Sequence, residues 1–236
     1  MSFITSVLIL VLAMLIQAFL QLNPSVFAIF YHNALGKKSP KVADNLSLYF
    51  FFGIEVFCAI VFLSIYFLLS TIFTYFPYFM TNIFPWIMSG IFMALAIVSF
   101  FWYFRTGHNC KKTTKLFISR SLAHHLTTCA EKVTTRSDAF LLGAFIGIIE
   151  LGFTLPLYII CTFQIIYFTE LSSFLIIILY IFSALLPLFI IHAIFLSHHN
   201  LANIQRFRIR KKPLFRITIS LSFLIIAILT LISGII

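Results

Sequence analysis

Two glutamates stand in long apolar stretches that hold no other charged side chain. Glu150 lies in the run 139–168, which has no lysine or arginine over 30 residues, and Glu55 lies in the run 46–76. A carboxylate near the middle of hydrocarbon costs about 2.5–3.5 kcal/mol even on lenient insertion scales. Such acids must face protein or water, and they mark a functional site by default. The alternative is a buried acid that only holds helices together.

Small residues beside each acid indicate that both point into protein. Gly143 and Gly147 precede Glu150 by seven and three residues, so a helix places all three on one face. Cys58 and Ala59 follow Glu55 by three and four residues. Small residues at this spacing allow a second helix to approach closely. We therefore expect both acids to face neighbouring helices.

The two acids lie at similar depth, together with a polar residue of the first apolar run. At a rise of 1.5 Å per residue, Glu55 lies roughly 13 Å from the cytoplasmic edge, Gln21 roughly 15 Å and Glu150 roughly 16 Å. All three therefore reach the centre of a hydrocarbon core about 30 Å thick. This placement predicts one polar cavity at the membrane midplane.

Two of the apolar runs carry residues that weaken a helix near these polar groups. Gln21 and Asn23 stand just before Pro24 in the first run, and Gly152 and Pro156 follow Glu150 in the fourth. Proline removes one backbone hydrogen bond, and free backbone groups at membrane depth can bind a polar substrate. Paired broken helices are typical of transporter binding sites.

The chemistry of these residues suits proton exchange. Two carboxylates in a cavity of low dielectric are hard to ionise together, so one of them would hold a proton and exchange it. Thr154, one turn beyond Glu150, could hydrogen-bond a substrate or the freed backbone. His192 could relay protons near the cytoplasmic side. A histidine bonded to a backbone carbonyl is the more common arrangement and remains the alternative.

Composition places the chain in the membrane class. Hydrophobic residues make up 62% of the 236 and charged residues 9%, against about 25% charged residues in soluble domains. All 16 lysines and arginines lie in the segments 37–41, 105–136 and 206–216. The positive-inside rule places these segments in the cytoplasm and both termini outside. Anionic lipid head groups, and not nucleic acid, are the expected partners of the net charge of +10.

Six apolar segments divide the chain into two halves of nearly equal length. The segments are 3–31, 46–76, 85–104, 139–168, 171–196 and 214–236. The first follows no basic region, so we read it as a retained span and not as a cleaved signal peptide. We predict an all-α membrane protein with repeats at 1–104 and 139–236. Three spans per repeat would invert the second copy relative to the first.

The basic connector 105–138 is the only sizeable segment outside the predicted spans. Apolar residues recur near helical spacing in 116–133, which predicts an amphipathic helix lying on the inner leaflet. An ordinary connector is the alternative. The connector also holds metal-ligand types, namely His108, Cys110, His124, His125 and Cys129. Their spacing matches no zinc site, so we expect no metal, and no motif indicates a cofactor.

The segment 22–31, reading Leu-Asn-Pro-Ser-Val-Phe-Ala-Ile-Phe-Tyr, resembles the first-span motif of the six-span lysine-exporter superfamily. It is most similar to the branch that moves reducing equivalents for cytochrome c biogenesis. In that branch a Pro-Cys motif in span one is answered by a related motif in span four. Pro24-Ser25 and Thr154 stand here in place of the cysteines. The resemblance implies an inverted-repeat transporter fold, whereas the missing thiols argue against dithiol relay.

Together these features predict a proton-coupled exporter of a small solute or ion. Glu55 and Glu150 would carry the coupling, and Gln21, Asn23, Pro24, Thr154 and Pro156 would shape the site. An intramembrane enzyme is an alternative, although no His-Glu-x-x-His or Gly-x-Ser-x-Gly motif is present. A non-transporting partner that recruits proteins through its basic loops is another. The substrate and the oligomeric state, a homo-oligomer included, stay open.

Overall fold

The computed structural model describes residues 3–35, 40–107, 129, 133–168, 170–196 and 201–235. Within the helices, only the backbone is described at 19, 21–35, 40–41, 43, 102–107, 150, 153, 170–171, 191–192, 194–196, 201–216 and 235. The predicted amphipathic helix at 116–133 lies almost wholly outside the described residues. His108, Cys110, His124 and His125 also lie outside them.

The described residues form six long α-helices and contain no strand. The helices are α1 (Phe3–Leu35), α2 (Pro40–Tyr75), α3 (Phe84–Gly107), α4 (Arg136–Ile166), α5 (Glu170–Leu196) and α6 (Leu201–Ile235). A π-helical turn at Phe79–Ile83 leads directly into α3. This turn occupies the aromatic segment between α2 and α3, where Tyr75, Tyr78 and Trp86 are exposed. Exposed aromatic residues beside a span are typical of the membrane interface.

The lengths and composition of these helices identify a membrane protein. Four segments are long and apolar enough to cross a bilayer, namely Asp44–Tyr75, Phe79–Phe101, Ser172–Ile190 and Ile217–Gly234. A fifth arises if the two parts of α4, Arg136–Ile149 and Thr154–Ile166, count as one bent span. The shorter segment Phe3–Ala18 is also apolar. Over the described residues the all-α membrane class is confirmed, while the count of six spans and the inverted repeat stay predictions.

The bend in α4 lies where glycine and proline follow Glu150 in the sequence. The segments Arg136–Ile149 and Thr154–Ile166 meet at 79°. Gly152 lies in the bend, and a methyl group added there would meet nothing within 4 Å. Pro156 lies inside the second segment, where its missing N–H and its ring weaken the preceding turn. The predicted weakening of the fourth span therefore coincides with a sharp change of helix direction.

Two predicted boundaries differ from the structure. The backbone of α1 is helical from Phe3 to Leu35, so the predicted break at Gln21 to Pro24 is wrong as an interruption of helical backbone. Proline removes only its own donor, and the remaining bonds can continue in a long helix. At the other end, α6 begins at Leu201, well before the predicted start at Leu214. A helix can extend past the hydrocarbon, so the basic residues did not mark its beginning.

The helices pack in pairs that connect the two halves of the chain. The most extensive pairings are α2 with α4 and α3 with α6, followed by α1 with α5. Contacts between α2 and α4 advance together along both helices, from Gly53 with Phe140 to Phe73 with Tyr167. These two helices are therefore parallel. Because the strongest pairings join a helix of one half to a helix of the other, the halves share one core.

A reciprocal glycine contact holds α2 against α4. A methyl group on Gly53 would overlap the backbone carbonyl of Phe140, and one on Gly143 would overlap the backbone carbonyl of Phe50. At Gly147 it would lie 2.8 Å from the ring of Phe57. Absent side chains at these positions let the two backbones touch. The close approach predicted from Gly143 and Gly147 is confirmed, and Gly53 supplies its other side.

The start of α4 is stabilised by a capping box and by a contact with α2. The Asp138 N–H donates to Thr135 Oγ1 over 3.2 Å, and the Thr135 N–H donates to Asp138 Oδ2 over 3.3 Å. Two backbone donors of the first turn are thereby satisfied. The guanidinium of Arg136 lies 5.4 Å from the centre of the Tyr49 ring on α2. A cation–π contact thus joins the start of α4 to α2.

The pair α3 and α6 is joined by two equivalent hydrogen bonds. Ser89 Oγ of α3 donates to the carbonyl of Ala227 over 2.9 Å, and Ser220 Oγ of α6 donates to the carbonyl of Ala96 over the same distance. The rings of Phe92 and Phe223 meet between these bonds, with their centres 5.9 Å apart. The contacts run in opposite order along the two helices, which are therefore antiparallel.

Candidate functional site

Glu55 is buried in the core between the two halves. Its side chain is 5% exposed, and its Oε2 atom has no hydrogen-bond partner among the described residues. The same face of α2 carries Ile54, Cys58 and Phe62, all buried. Glu55 lies within electrostatic range of Tyr158 on α4, so its carboxylate belongs to the interior of the bundle and not to the lipid-facing surface. A buried carboxylate without full hydrogen bonding is costly, so it calls for a functional explanation.

Tyr158 of α4 is the centre of the polar groups around Glu55. Its hydroxyl accepts a hydrogen bond of 3.1 Å from Gln17 Nε2 of α1. It also interacts with Thr154 and Cys58, and it lies within electrostatic range of Glu55. Tyr158 is 1% exposed and Gln17 is 0% exposed. Side chains from α1, α2 and α4 therefore meet at one phenolic oxygen.

Aromatic stacking positions Tyr158 and extends the cluster to α5. Phe62 of α2 stacks on the ring of Tyr180 with centres 4.5 Å apart, and it meets Tyr158 edge-on at 5.7 Å. The hydroxyl of Tyr180 lies beside the thiol of Cys161, a weak hydrogen-bond partner, and no other described group bonds it. Offset and edge-to-face contacts of this kind fix ring orientation. Both phenolic oxygens are thereby held in the interior of the bundle.

One further polar side chain is buried nearer the end of α4. Gln164 is 0% exposed, and neither its Oε1 nor its Nε2 atom has a partner in the described structure. It lies one turn beyond Cys161 and so on the same face of the helix. An amide with four hydrogen-bonding positions unused is rare in a packed core.

The structure describes the side chains of only some predicted site residues. Thr154 is 1% exposed and contacts Tyr158, and Pro156 is half-buried. For the other predicted residues only a helical backbone is described, and these are Gln21, Asn23, Pro24, Glu150 and His192. The cavity shared by Glu55 and Glu150 therefore stays a prediction. Among the residues with described surroundings, no group of three histidine, cysteine or acidic side chains could hold a metal ion.

A crevice between α2 and α5 lies about one helical turn from Glu55. Its lining is entirely apolar and consists of Leu48, Phe51, Phe52, Leu185, Leu188 and Phe189. Such a surface offers no hydrogen bond to a polar solute. The chemistry of the described residues is therefore concentrated around Glu55 and Tyr158.

Comparisons with protein-family models, with curated proteins and with solved structures found no match to this chain. The function must consequently be argued from the buried polar cluster itself.

Proposed function

We propose that this protein is a proton-coupled secondary transporter, and that it exports a small polar solute or ion. The observation that carries the proposal is Glu55, a carboxylate buried where helices of both halves meet, with one oxygen unpaired. An intramembrane acid is expensive to retain and usually belongs to a transport pathway. In such a transporter the unpaired oxygen of Glu55 would bind a proton in one state and the solute in the other.

Symmetry in the helix contacts supports an inverted repeat. Exchanging α1, α2 and α3 with α4, α5 and α6 converts the pairing of α2 with α4 into that of α5 with α1. The pairing of α1 with α6 becomes that of α4 with α3, and α3 with α6 becomes itself. The agreement is approximate, because α3 packs much less extensively on α4 than α1 does on α6. Transporters with inverted repeats place the substrate between the repeats, where Glu55 lies here.

A short repeated pattern supports the same exchange at the level of residues. Ser89, Phe92 and Ala96 have the same spacing as Ser220, Phe223 and Ala227. Each serine bonds the alanine of the other helix, and the two phenylalanines meet each other. A two-fold axis between the phenylalanine rings would relate all of these contacts. We infer that α3 and α6 are equivalent elements of two inverted copies.

The resemblance of 22–31 to the lysine-exporter superfamily adds to this proposal. That superfamily has six spans in two inverted repeats, and the pairing of the helices here fits such an arrangement. Thr154 is buried beside Tyr158 where the thiol-relay branch would need a cysteine. Solute export is therefore favoured over the transfer of reducing equivalents. We place the protein in the cell membrane, with its basic segments against anionic lipid in the cytoplasm.

Flux in proteoliposomes tests the proposal. The purified protein would be reconstituted with a pH-sensitive dye inside, and solutes of several classes would be added under a pH gradient: amino acids, organic anions and divalent cations. We expect one class to move protons in the wild type. Glu55→Gln should insert normally, because a neutral amide is easier to bury than a charge, and it should abolish this movement, because the amide cannot titrate.

Ser64→Ala is the matched control on the same helix. Ser64 is exposed and bonds only the Ile60 carbonyl of its own helix, over 2.8 Å, so its flux should equal that of the wild type. A wild-type protein that moves no proton with any solute would contradict the proposal. Undiminished pH-dependent flux in the double variant Glu55→Gln, Glu150→Gln would exclude the acids as its carriers.

A further inference from the structure

Unpaired buried polar atoms concentrate in one part of the bundle. They are Glu55 Oε2, Gln17 Oε1, and both Oε1 and Nε2 of Gln164, and the hydroxyl of Tyr180 has only the weakly bonding thiol of Cys161 beside it. The other such atom in the described residues is Asp44 Oδ1 near the start of α2, and Asp44 has an interaction of its own. The cores of α3 and α6, equally buried, have their serine hydroxyls paired. We call Glu55, Gln17, Tyr158, Tyr180 and Gln164 the polar seam.

Contacts link four of the five polar-seam residues, and Gln164 extends the group along α4. Gln17 donates a hydrogen bond to the hydroxyl of Tyr158, and Glu55 lies within electrostatic range of the same hydroxyl. The rings of Tyr158 and Tyr180 meet edge to face, with centres 6.0 Å apart. Tyr180 lies beside Cys161, and Gln164 follows Cys161 by one turn. From Tyr158 to Gln164 the seam rises roughly 9 Å toward the end of α4.

Lipid cannot satisfy these atoms, whereas water can. An unpaired buried donor or acceptor destabilises the protein, and hydrocarbon offers no partner. A buried water molecule typically makes about three hydrogen bonds to such groups. The unpaired atoms are spread along about two turns of α4, so one water molecule could not reach all of them. A short row of water molecules could.

Aromatic rings mark the end of the seam. Phe163 meets Phe84 at 4.8 Å and Tyr167 at 5.2 Å, and Tyr167 meets Phe73 of α2 at 5.5 Å. These rings lie around the last turn of α4, just beyond Gln164. Tyr167 is 38% exposed, so the ring group reaches the surface of the bundle at this end.

We propose that the polar seam holds a file of water molecules that connects Glu55 with the end of the bundle where α4 ends. Waters between phenol and amide groups would pass protons to and from Glu55 along this route. The inference deepens the proposed function, because it rests on Glu55 as the proton carrier and assigns the path by which protons reach it. Gln164 would be the entrance residue, and Tyr158 and Tyr180 would line the route.

Hydroxyl-radical footprinting by X-ray radiolysis tests the route without any transport assay. Radicals formed from bound water label nearby side chains even when these are buried. In wild-type protein in lipid nanodiscs, we expect Tyr158 and Tyr180 to be labelled several-fold faster than Phe92 and Phe223. The latter pair is equally buried, at 0% exposure, in the core between α3 and α6. Equal and slow labelling of all four rings would overturn the proposal.

A variant of the entrance adds a second measurement. Gln164→Leu should reduce the labelling of Tyr180, because an apolar side chain removes two hydrogen-bonding atoms from the file. Thr162→Val is the control, since Thr162 bonds the Tyr158 carbonyl within its own helix, and labelling should persist. If the tyrosines are labelled but the protein moves no protons, the water file stands and the proposed transport function is refuted. If the protein moves protons but the tyrosines are not labelled, transport stands and the water file is refuted.

Discussion

At the scale of single residues, the hydrogen bond between Gln17 and Tyr158 joins α1 to α4 in the interior. Both side chains are almost completely buried. The bond spans 3.1 Å and connects residues 141 positions apart. Hydrogen bonds between membrane helices average about 0.6 kcal/mol in double-mutant cycles. Removing one partner alone costs more free energy than the bond contributes, because the remaining buried group is left without a hydrogen bond.

We therefore predict that Tyr158→Phe destabilises the protein by about 1–3 kcal/mol, since it leaves the Gln17 amide without an acceptor. Adding Gln17→Leu should recover part of this loss, because both polar groups are then gone. The measurement is a double-mutant cycle of unfolding free energy in detergent micelles. Strictly additive effects of the two substitutions would show that the bond does not form.

Charge, more than polarity, made the site visible in the sequence. Glu55 and Glu150 are conspicuous because an acid in an apolar run is expensive. Gln17, Tyr158 and Gln164 are uncharged and stand among residues that spans commonly contain, so no local signal separates them from ordinary core. Their importance depends on which helices face each other. Pairing of α1 with α4 brings Gln17 to Tyr158, and the sequence does not state that pairing.

At the scale of elements, the contact between α2 and α4 depends on missing side chains. Gly53 and Gly143 each lie against a backbone carbonyl of the opposite helix. The close approach holds together the two helices that carry Glu55 and Tyr158, and so it couples packing to the candidate site. In a bilayer, where hydrophobicity does not drive helices together, such close packing is a principal source of association.

We predict that Gly143→Ala destabilises the protein by about 1–3 kcal/mol, because overpacking forces the backbones apart. Gly90→Ala is the matched control. A methyl group at Gly90 meets nothing within 4 Å, so the change should be neutral or stabilising by up to about 1 kcal/mol. Thermal unfolding midpoints in the same detergent compare the two. A Gly143→Ala protein as stable as wild type would show that the helices are not in backbone contact.

The elements themselves were largely predictable, and their ends less so. Apolar runs longer than about 20 residues predict spans directly, because the hydrocarbon thickness sets their length. Gly152 and Pro156 indicated the bend in α4. The start of α6 at Leu201 was missed, since basic residues outside the hydrocarbon are compatible with either a loop or a helix. Pro24 led to the prediction of a break in the first span, whereas α1 continues there as helical backbone.

At the scale of the whole molecule, the proposed two-fold axis passes between α3 and α6. The spacing of Ser89, Phe92 and Ala96 repeats at Ser220, Phe223 and Ala227. This pattern could have been found in the sequence, but serine, phenylalanine and alanine are common in spans. Three matches in eight positions carry little weight until the contacts show that each residue meets the other copy.

We predict that Ser89→Ala and Ser220→Ala each destabilise the protein by about the same amount, near 0.6 kcal/mol. The reason is that each removes one of two equivalent bonds of 2.9 Å. The double variant should lose about the sum. Ser64→Ala, which removes only a bond within its own helix, is the control. Markedly unequal effects of the two core serines would argue against equivalent copies.

The last prediction concerns the orientation of the whole bundle in the membrane. We expect both termini outside and the basic segments inside. All lysines and arginines fall in three segments, each of which follows an odd-numbered helix or begins an even-numbered one. Alternating spans would gather these segments at one end. The parallel pair α2 and α4 and the antiparallel pair α3 and α6 both agree with such alternation, since even-numbered helices then run in one direction.

Single cysteines introduced into a cysteine-free variant measure this orientation in intact cells. Lys37→Cys, Lys112→Cys and Arg208→Cys should react with a membrane-impermeant maleimide only after permeabilisation. Ser2→Cys should react in intact cells, because the positive-inside rule places the first residues on the other side. Tyr78→Cys serves as a second outside position, since Tyr78 is 74% exposed in the turn between α2 and α3. Reaction at position 112 in intact cells would reverse the orientation and, with it, the side from which protons enter the polar seam.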